Sequence, residues 1–154
     1  MLTRDFLRTV ELFAPLTDRD ADALIGIGRE EIYQKGQAIF KEGDPGSKLY
    51  LVLSGVVEIA KPGRGGAPPA TLARLGRGEI VGEIAAFDGG PRSATAMAAV
   101  VQETRVFAWD MTDFNRYLSQ RPPAALIILS GLLRKLGTRL RRTSEAVQTL
   151  VRAL

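Results

Sequence analysis

The sequence predicts an α+β protein in which an antiparallel β-roll, or jelly-roll barrel, follows short N-terminal helices and precedes a long C-terminal dimerisation helix. Residues 30–109 contain short apolar runs at regular intervals, separated by turn-forming residues, as in antiparallel rolls and barrels. Apolar residues recur at helical spacing in residues 3–29 and, over a longer stretch, in residues 112–154. The 154 residues suffice for a single domain with its own hydrophobic core.

The first zone, residues 3–29, is predicted to form short helices. Phe6, Val10 and Phe13 recur at helical spacing. A second helix is predicted to start after Thr17, because a threonine hydroxyl can accept a hydrogen bond from an N–H group of the first turn. Acidic residues follow directly and complement the positive end of the helix dipole. We expect these helices to pack against the roll.

The second zone, residues 30–109, is predicted to be a series of short strands separated by turns. Ser54 and Gly55, between two apolar runs, are a signal for a compact hairpin. The Gly- and Pro-rich residues 63–69 are predicted to form a loop. The expected strands are 31–33, 38–40, 49–53, 56–60, 71–75, 79–81, 94–100 and 104–109.

The third zone, residues 112–154, is predicted to contain a long helix that starts at Pro122 and Pro123, since proline is tolerated in the first helical turn. Its apolar residues then alternate at spacings of three and four, which is the pattern of a coiled-coil seam. Ile128 and Leu132 form a separate stripe that is expected to rest on the roll. The predicted seam consists of Leu126, Leu129, Leu133, Leu136, Leu140, Val147, Leu150 and Leu154.

This seam favours a parallel homodimer, because a chain of this size would otherwise expose a long row of leucines. The alternative is that the helix packs its whole apolar side on its own domain. The seam position between Leu140 and Val147 is occupied by the polar Thr143. A polar residue in an apolar seam costs stability unless it finds a hydrogen-bond partner. Gly131 and Gly137 each weaken the helix by about 1 kcal/mol relative to alanine, so the helix is a candidate moving part.

The composition excludes several classes of chemistry. Cysteine and histidine are both absent, so the chain cannot form a disulfide, a thiolate nucleophile or a Ser-His-Asp triad. We expect no enzymatic activity and no bound metal. The charged N-terminus is unlike a secretory signal, and no apolar run reaches the roughly 18 residues of a membrane span. These features predict a cytoplasmic protein without a membrane span.

Positive charge is concentrated in the C-terminal tail. The net charge is +4, and residues 121–154 hold seven Lys and Arg against one Asp or Glu. Such a run is usually a solvated helix face, and contact with nucleic acid or acidic lipid is the alternative. No recognisable reading helix or row of stacking aromatics accompanies it, which favours the solvated face. The residues concerned are Arg134, Lys135, Arg139, Arg141 and Arg142.

The stretch GEIAAFDGGPRSAT, residues 82–95, has the composition of a small anion-binding site within a tight connection between two strands. Gly82 permits a backbone conformation or close approach that a side chain would block, and the small residues leave N–H groups open to a phosphate. Arg92 offers a planar fork of donors. Glu83 would repel a phosphate, so a ribose hydroxyl is its natural partner. The alternative is an ordinary surface loop with both charges solvated.

This stretch resembles the phosphate-binding cassette of cyclic nucleotide-binding domains, here residues 81–95, and most closely that of the sensory domain of catabolite-activator-type (Crp/Fnr) regulators. The glycine, the glutamate, the aliphatic-alanine pair and the proline-arginine pair fall at the family's spacing. The resemblance implies that Glu83 binds the ribose 2′-hydroxyl and that Arg92 binds an exocyclic phosphate oxygen. It also implies a cradle completed by Gly82, Ile84, Ala85, Ser93 and Ala94. Val81 departs from the family, which often has an aromatic residue there.

The resemblance extends to the C-terminal helix. Thr143 and Ser144 stand where catabolite-activator-like proteins carry a Thr-Ser pair whose hydroxyls meet the purine, one of them from the partner subunit. This pair favours cyclic AMP as the ligand. Cyclic GMP is the alternative, because some relatives that bind it use a hydroxyl residue at the position of Ser93. Thr143 has a second interpretation, as a residue that sets the register of the seam.

The resemblance implies a sensor whose ligand repositions the C-terminal helix to regulate an unidentified partner protein, without a cofactor. Transcription regulators of the family continue into a winged helix-turn-helix, whereas this sequence ends at Leu154, so we expect no direct DNA binding. Two alternatives to this sensor remain. In the first, the chain is a ligand-independent structural or protein-interaction module. In the second, it is the sensory part of a transcription regulator without its DNA-binding domain.

Overall fold

Two antiparallel sheets of four strands each form the centre of the computed structural model, which describes residues 1–99 and 102–154. The helix-side sheet has the order β1-β8-β3-β6 and the outer sheet the order β2-β7-β4-β5. The predicted α+β roll is therefore confirmed. The strands are β1 (Gly28–Tyr33), β2 (Ala38–Phe40), β3 (Lys48–Ser54), β4 (Val57–Lys61), β5 (Ala70–Leu75), β6 (Ile80–Val81), β7 (Thr95–Ala98) and β8 (Thr104–Asp110).

Helices flank the roll on both sides in sequence, and one more lies between two of its strands. They are α1 (Arg4–Arg8), α2 (Asp18–Gly26), α3 (Glu83–Asp88), α4 (Met111–Gln120) and α5 (Pro122–Ala153). The predicted strand 94–100 corresponds to β7, and its final position lies outside the described residues.

The hairpin predicted at Ser54 and Gly55 is wrong. The strands on either side, β3 and β4, belong to different sheets, and β4 pairs with β5 and β7 instead. Gly55 has a φ of +84°, and a Cβ there would collide with Thr104 of β8. The turn therefore carries the chain sharply from one sheet to the other, because glycine accepts this left-handed conformation without steric cost.

The two central strands of the helix-side sheet, β3 and β8, are buried on both faces. Their alternating residues point to opposite sides, as the two-residue period of a strand requires. One set, Tyr50, Val52, Val106 and Ala108, packs between the two sheets. The other set, Leu49, Leu51, Phe107 and Trp109, packs against the helices. The indole N–H of Trp109 donates to the Leu24 carbonyl at 2.8 Å, which ties β8 to α2.

The N-terminal helices are shorter than their apolar spacing predicts. Helix α1 ends at Arg8, and Val10 and Phe13 lie in turns although both are buried. Pro15 explains part of this difference, since a proline disfavours the helical conformation of the residue before it. The predicted cap of α2 is confirmed, because the Thr17 hydroxyl accepts a hydrogen bond from the Asp20 N–H at 3.2 Å.

Helix α5 presents its first half to the core and its second half to solvent. Ala124, Ile128 and Leu132 are buried in the same cluster as the N-terminal helices, which confirms the separate apolar stripe. Leu12 packs closely on the surface left bare by Gly131. Residues 138–154 are exposed along their whole length.

The predicted seam lies mostly on the exposed side of α5. Leu136 is partly buried against the core, and the other seam residues are exposed, Leu133 to 70%. The alternative prediction, in which α5 packs its whole apolar side on its own domain, is therefore wrong for the single chain. The exposed members are Leu126, Leu129, Leu133, Leu140, Val147, Leu150 and Leu154.

Candidate ligand-binding site

A cavity of about 550 Å³ opens between the outer sheet, the segment 82–94 and helix α5. A volume of this size suits a small organic ligand. Apolar side chains from three strands of the outer sheet form one wall, namely Phe40, Ile59, Ala73 and Leu75. The opposite wall belongs to α5, from Gly131 to Arg142.

The sequence predicts that the segment between β6 and β7 is a tight connection. That prediction is wrong, because the segment contains a six-residue helix, α3. Gly82 and Gly89 bracket α3 with left-handed conformations, at φ values of +81° and +74°. Three of the six residues between them, Glu83, Ala85 and Ala86, are good helix formers, which favours a helix once glycine permits a sharp turn at each end. The N–H groups of the first turn have no partner within the helix, so this turn presents donors.

Arg92 is held rigidly behind Gly82. Its main-chain N–H donates to the Asp44 carbonyl at 2.8 Å, and its own carbonyl accepts from Gly43 at 2.9 Å. Its guanidinium donates through Nη1 to the Gly82 carbonyl at 2.7 Å and through Nη2 to the Lys48 carbonyl at 2.6 Å. The same group lies 4.1 Å from the centre of the Phe40 ring. These contacts fix the guanidinium at the wall of the cavity.

The charge of Arg92 is buried without a carboxylate partner. The residue is 3% exposed, and none of its contacts within residues 1–99 and 102–154 is an ion pair. Burial lowers the pKa of this guanidinium from its ordinary value. Its Nε–H is also buried without an acceptor among those residues. A buried cation in this condition is costly, and an anion in the cavity would compensate it.

Glu83 has a partner that the sequence did not predict. The residue is 5% exposed, and its Oε1 accepts a hydrogen bond from Nη1 of Arg139 at 2.6 Å. Arg139 is half exposed and lies on α5, 56 positions further along the chain. The ion pair thus joins the start of α3 to the C-terminal helix. The only sequence signal was the excess of cations in the tail, which does not identify a partner.

The structure gathers most of the predicted site residues around the cavity. Gly82, Glu83, Ile84, Ala85, Arg92, Ser93 and Ala94 all line it. Ala85 and Ala94 are buried, while Ser93 is exposed at the cavity wall. The side chain of Ile84 is about half exposed.

Thr143 and Ser144 do not line the cavity of the single chain. Both are exposed on α5, immediately after Arg142, the last lining residue. The Thr143 hydroxyl donates to the Arg139 carbonyl at 3.0 Å, one helical turn earlier. The two hydroxyl residues therefore lie outside the cavity lining of the single chain.

Four of the five basic residues noted in the tail face the cavity. Arg134, Lys135, Arg139 and Arg142 line it, whereas Arg141 does not. Their spacing places them on one side of α5, because residues three and four positions apart share a helix face.

Within the described part of the chain, no cluster of three or more acidic residues is placed to hold a metal ion. The helices described there also include none that is both long and apolar enough to cross a membrane.

The family model for the cyclic nucleotide-binding domain matches residues 30–121. The chain is 36% identical over 125 residues to the cyclic AMP receptor protein of Thermus thermophilus, which covers 81% of this chain and 56% of that protein. It is 34% identical over 119 residues to a CRP-like cAMP-activated global transcriptional regulator of Mycobacterium tuberculosis, covering 77% and 50%. The chain thus spans about half the length of the curated relatives it matches.

A solved structure agrees with this result. The N-terminal domain of a transcriptional regulator from Streptomyces coelicolor superposes with a TM-score of 0.76 and is 36% identical in sequence. The similarity covers 93% of this chain and 95% of that one.

Proposed function

This chain belongs to the cyclic nucleotide-binding domain family, and on that premise we propose that it is a dimeric sensor of cyclic AMP. The proposed ligand occupies the cavity between the outer sheet and α5, and its binding changes how α5 is held. The observation that carries the proposal is the buried charge of Arg92, which has no ion-pair partner among the described residues.

The phosphate of the ligand is proposed to lie against Arg92 and the first turn of α3. The guanidinium is already positioned by two carbonyl groups and the Phe40 ring, so little ordering is needed when the ligand arrives. A single negative charge there would compensate the buried cation. The N–H groups of the first turn of α3 supply further donors.

The ribose is proposed to bind Glu83 and thereby to couple the ligand to α5. Glu83 is engaged by Arg139 in the single chain, at 2.6 Å. A ribose hydroxyl that donates to the same carboxylate competes with Arg139 or rearranges around it. Either outcome changes a contact between the cassette and α5, and the ligand shifts the position of α5 by its differential affinity for the two arrangements.

The purine is proposed to meet Thr143 and Ser144, with one hydroxyl supplied by a second copy of the chain. The two residues stand next to the cavity, and Thr143 occupies a seam position on the exposed side of α5. A parallel dimer through the exposed leucines would bring the pair from the partner towards the cavity. We favour cyclic AMP over cyclic GMP on the basis of this pair.

We propose a regulatory and non-enzymatic role in the cytoplasm, with α5 as the element that acts on a partner. The curated relatives support a regulatory role, since one of them is named as a cAMP-activated global transcriptional regulator. The composition, without cysteine, is suited to a reducing compartment.

Thermal unfolding with and without nucleotide tests the proposal. A ligand that binds only the folded state at 100 times its Kd stabilises it by about 2.7 kcal/mol. For a domain of this size, we therefore expect the Tm to rise by about 5–11 °C. Calorimetric titrations with cyclic AMP and cyclic GMP should favour cyclic AMP, and Thr143→Ala should reduce that preference. Absence of a shift with either nucleotide at millimolar concentration would refute the sensor.

A further inference from the structure

The cavity contains more positive charge than one cyclic mononucleotide can neutralise. In the proposed function, the single phosphate is bound by Arg92, whose Nε–H has no acceptor among the described residues. Arg139 already has an acidic neighbour in Glu83, at 2.6 Å. Three further cations line the same cavity from α5, namely Arg134, Lys135 and Arg142. No ion pair within residues 1–99 and 102–154 involves any of these three.

The acids around the cavity do not account for this excess. Besides Glu83, only Glu11 and Glu79 line it among the residues that the structure describes. Glu79 already accepts a hydrogen bond from the Gly76 N–H at 2.7 Å. Neither acid lies within ion-pair distance of the free α5 cations.

The placement of these cations follows from the helix geometry of α5. Gly131, Arg134, Lys135, Thr138 and Arg142 recur at intervals of three and four, so they form one face towards the cavity. This face continues the side of α5 that Ile128 and Leu132 bury nearer its start, and it is separate from the exposed leucines. None of its cations belongs to the core cluster. The cations are thus not needed for the core or for the seam.

We propose that Arg134 and Lys135, with Arg142 about two turns further along, form a second phosphate subsite on the α5 wall of the cavity. The proposal rests on the proposed function, because it takes the Arg92 subsite as occupied by the first phosphate. Guanidinium and ammonium groups bind phosphate oxygens through charge-assisted hydrogen bonds. The second phosphate belongs either to the same ligand, as in a cyclic dinucleotide, or to a free phosphate ion bound beside a cyclic mononucleotide.

The test compares two double variants of the full chain that remove the same charge from the same helix. Arg134→Ala/Lys135→Ala removes the proposed subsite. Arg141→Ala/Arg152→Ala is the control, since both residues are exposed on α5 and lie outside the cavity lining. Alanine favours helix at all four positions, so both proteins should keep α5 folded. Each protein is titrated calorimetrically with cyclic AMP, with cyclic di-AMP, and with cyclic AMP in the presence of inorganic phosphate.

If the second phosphate is part of the ligand, the subsite variant should lose about tenfold in affinity for cyclic di-AMP relative to the control, equivalent to about 1.4 kcal/mol. Its affinity for cyclic AMP should fall less than its affinity for cyclic di-AMP, because the Arg92 subsite is intact. If the second phosphate is a free ion, millimolar phosphate should tighten cyclic AMP binding in the wild type and the control but not in the subsite variant.

Equal behaviour of the two double variants with all three probes overturns the subsite while leaving the sensor standing. Failure of the wild type to bind cyclic AMP, by contrast, refutes the proposed function. In that case, a phosphate site on α5 is still supported if the wild type and the control bind cyclic di-AMP and the subsite variant does not. If the wild type does not bind cyclic di-AMP either, the phosphate site is overturned as well.

Discussion

Replacing Arg92 with methionine tests the buried guanidinium at the centre of the proposed site. Methionine keeps an unbranched apolar side chain but removes the charge and the donors. The two bonds lost are those to the carbonyls of Gly82 and Lys48, at 2.7 and 2.6 Å. Hydrogen bonds to charged groups contribute about 1.5–3 kcal/mol each, so the gross loss is about 3–6 kcal/mol. The desolvation of a buried cation is recovered at the same time and reduces this loss.

We expect a net loss of about 3 kcal/mol in the free energy of unfolding, because two carbonyl groups each lose a charged donor, although the Gly82 carbonyl still accepts from the Ala86 N–H at 3.2 Å. At about 2–4 °C per kcal/mol for a domain of this size, the Tm should fall by about 6–12 °C. Scanning calorimetry without nucleotide measures it. Arg74→Met is the matched control, because Arg74 is largely exposed and its ion pair with Glu58 spans 3.6 Å. An exposed pair of this kind is worth less than about 1 kcal/mol.

The same variant should weaken cyclic AMP binding by about 10- to 100-fold, since a charged hydrogen bond of about 1.5–3 kcal/mol to the phosphate is lost. Isothermal titration below the Tm of the variant measures this change. A lower Tm combined with wild-type affinity for cyclic AMP would mean that Arg92 only ties the cassette to β3. An unchanged Tm would contradict the expected loss, and would mean that the two carbonyl bonds only balance the cost of burying the guanidinium.

Three further perturbations test other parts of the structure. Gly82→Ala should cost about 1–3 kcal/mol in urea denaturation, because its φ is +81° and a Cβ would strike the Arg92 guanidinium, whereas Gly76→Ala, in open space, should be nearly neutral. Leu133→Glu should yield a monomer in sedimentation velocity with little change in Tm, since this side chain is exposed in the single chain, and a persisting dimer would contradict the seam. Burial raises the pKa of Tyr117 from 10.0 to about 12, so its contribution to stability is complete below pH 10 and lost as the pH rises towards 12. Tyr117→Phe should flatten that alkaline loss in pH-dependent melts, and an identical slope would refute the assignment.

The sequence was sufficient for features that depend on local pattern. The strands β3 and β8, the cap at Thr17 and the buried stripe at Ile128 follow from short apolar runs, helical periodicity and side-chain chemistry within a few residues. The glycine, glutamate and arginine of the cassette were found as a motif, and the structure places them at one cavity.

Features that depend on distant parts of the chain could not be predicted in this way. The turn at Gly55 is locally the same in a hairpin and in a crossing between sheets, and only the pairing of β4 with β7 distinguishes the two. Helix α3 is six residues long, too short for a helical period to emerge from the sequence. The bond between Glu83 and Arg139 joins residues 56 positions apart, and several basic residues in the tail were equally suitable by charge alone.

Helix α5 is packed against the core only in its first half, so a tilt of the helix would pivot near Leu132, its last buried residue. Beyond Leu132 the helix continues to Ala153 with residues 138–154 all exposed, although the cavity lining extends as far as Arg142. At 1.5 Å per residue this part of the helix is roughly 30 Å long, so a tilt of about 10° at the pivot displaces its tip by about 5 Å. Arg139, which binds Glu83, lies about two turns beyond Leu132, much nearer this pivot than the end of the helix. In the proposed sensor, a small change at the cavity thus becomes a larger displacement at Ala153.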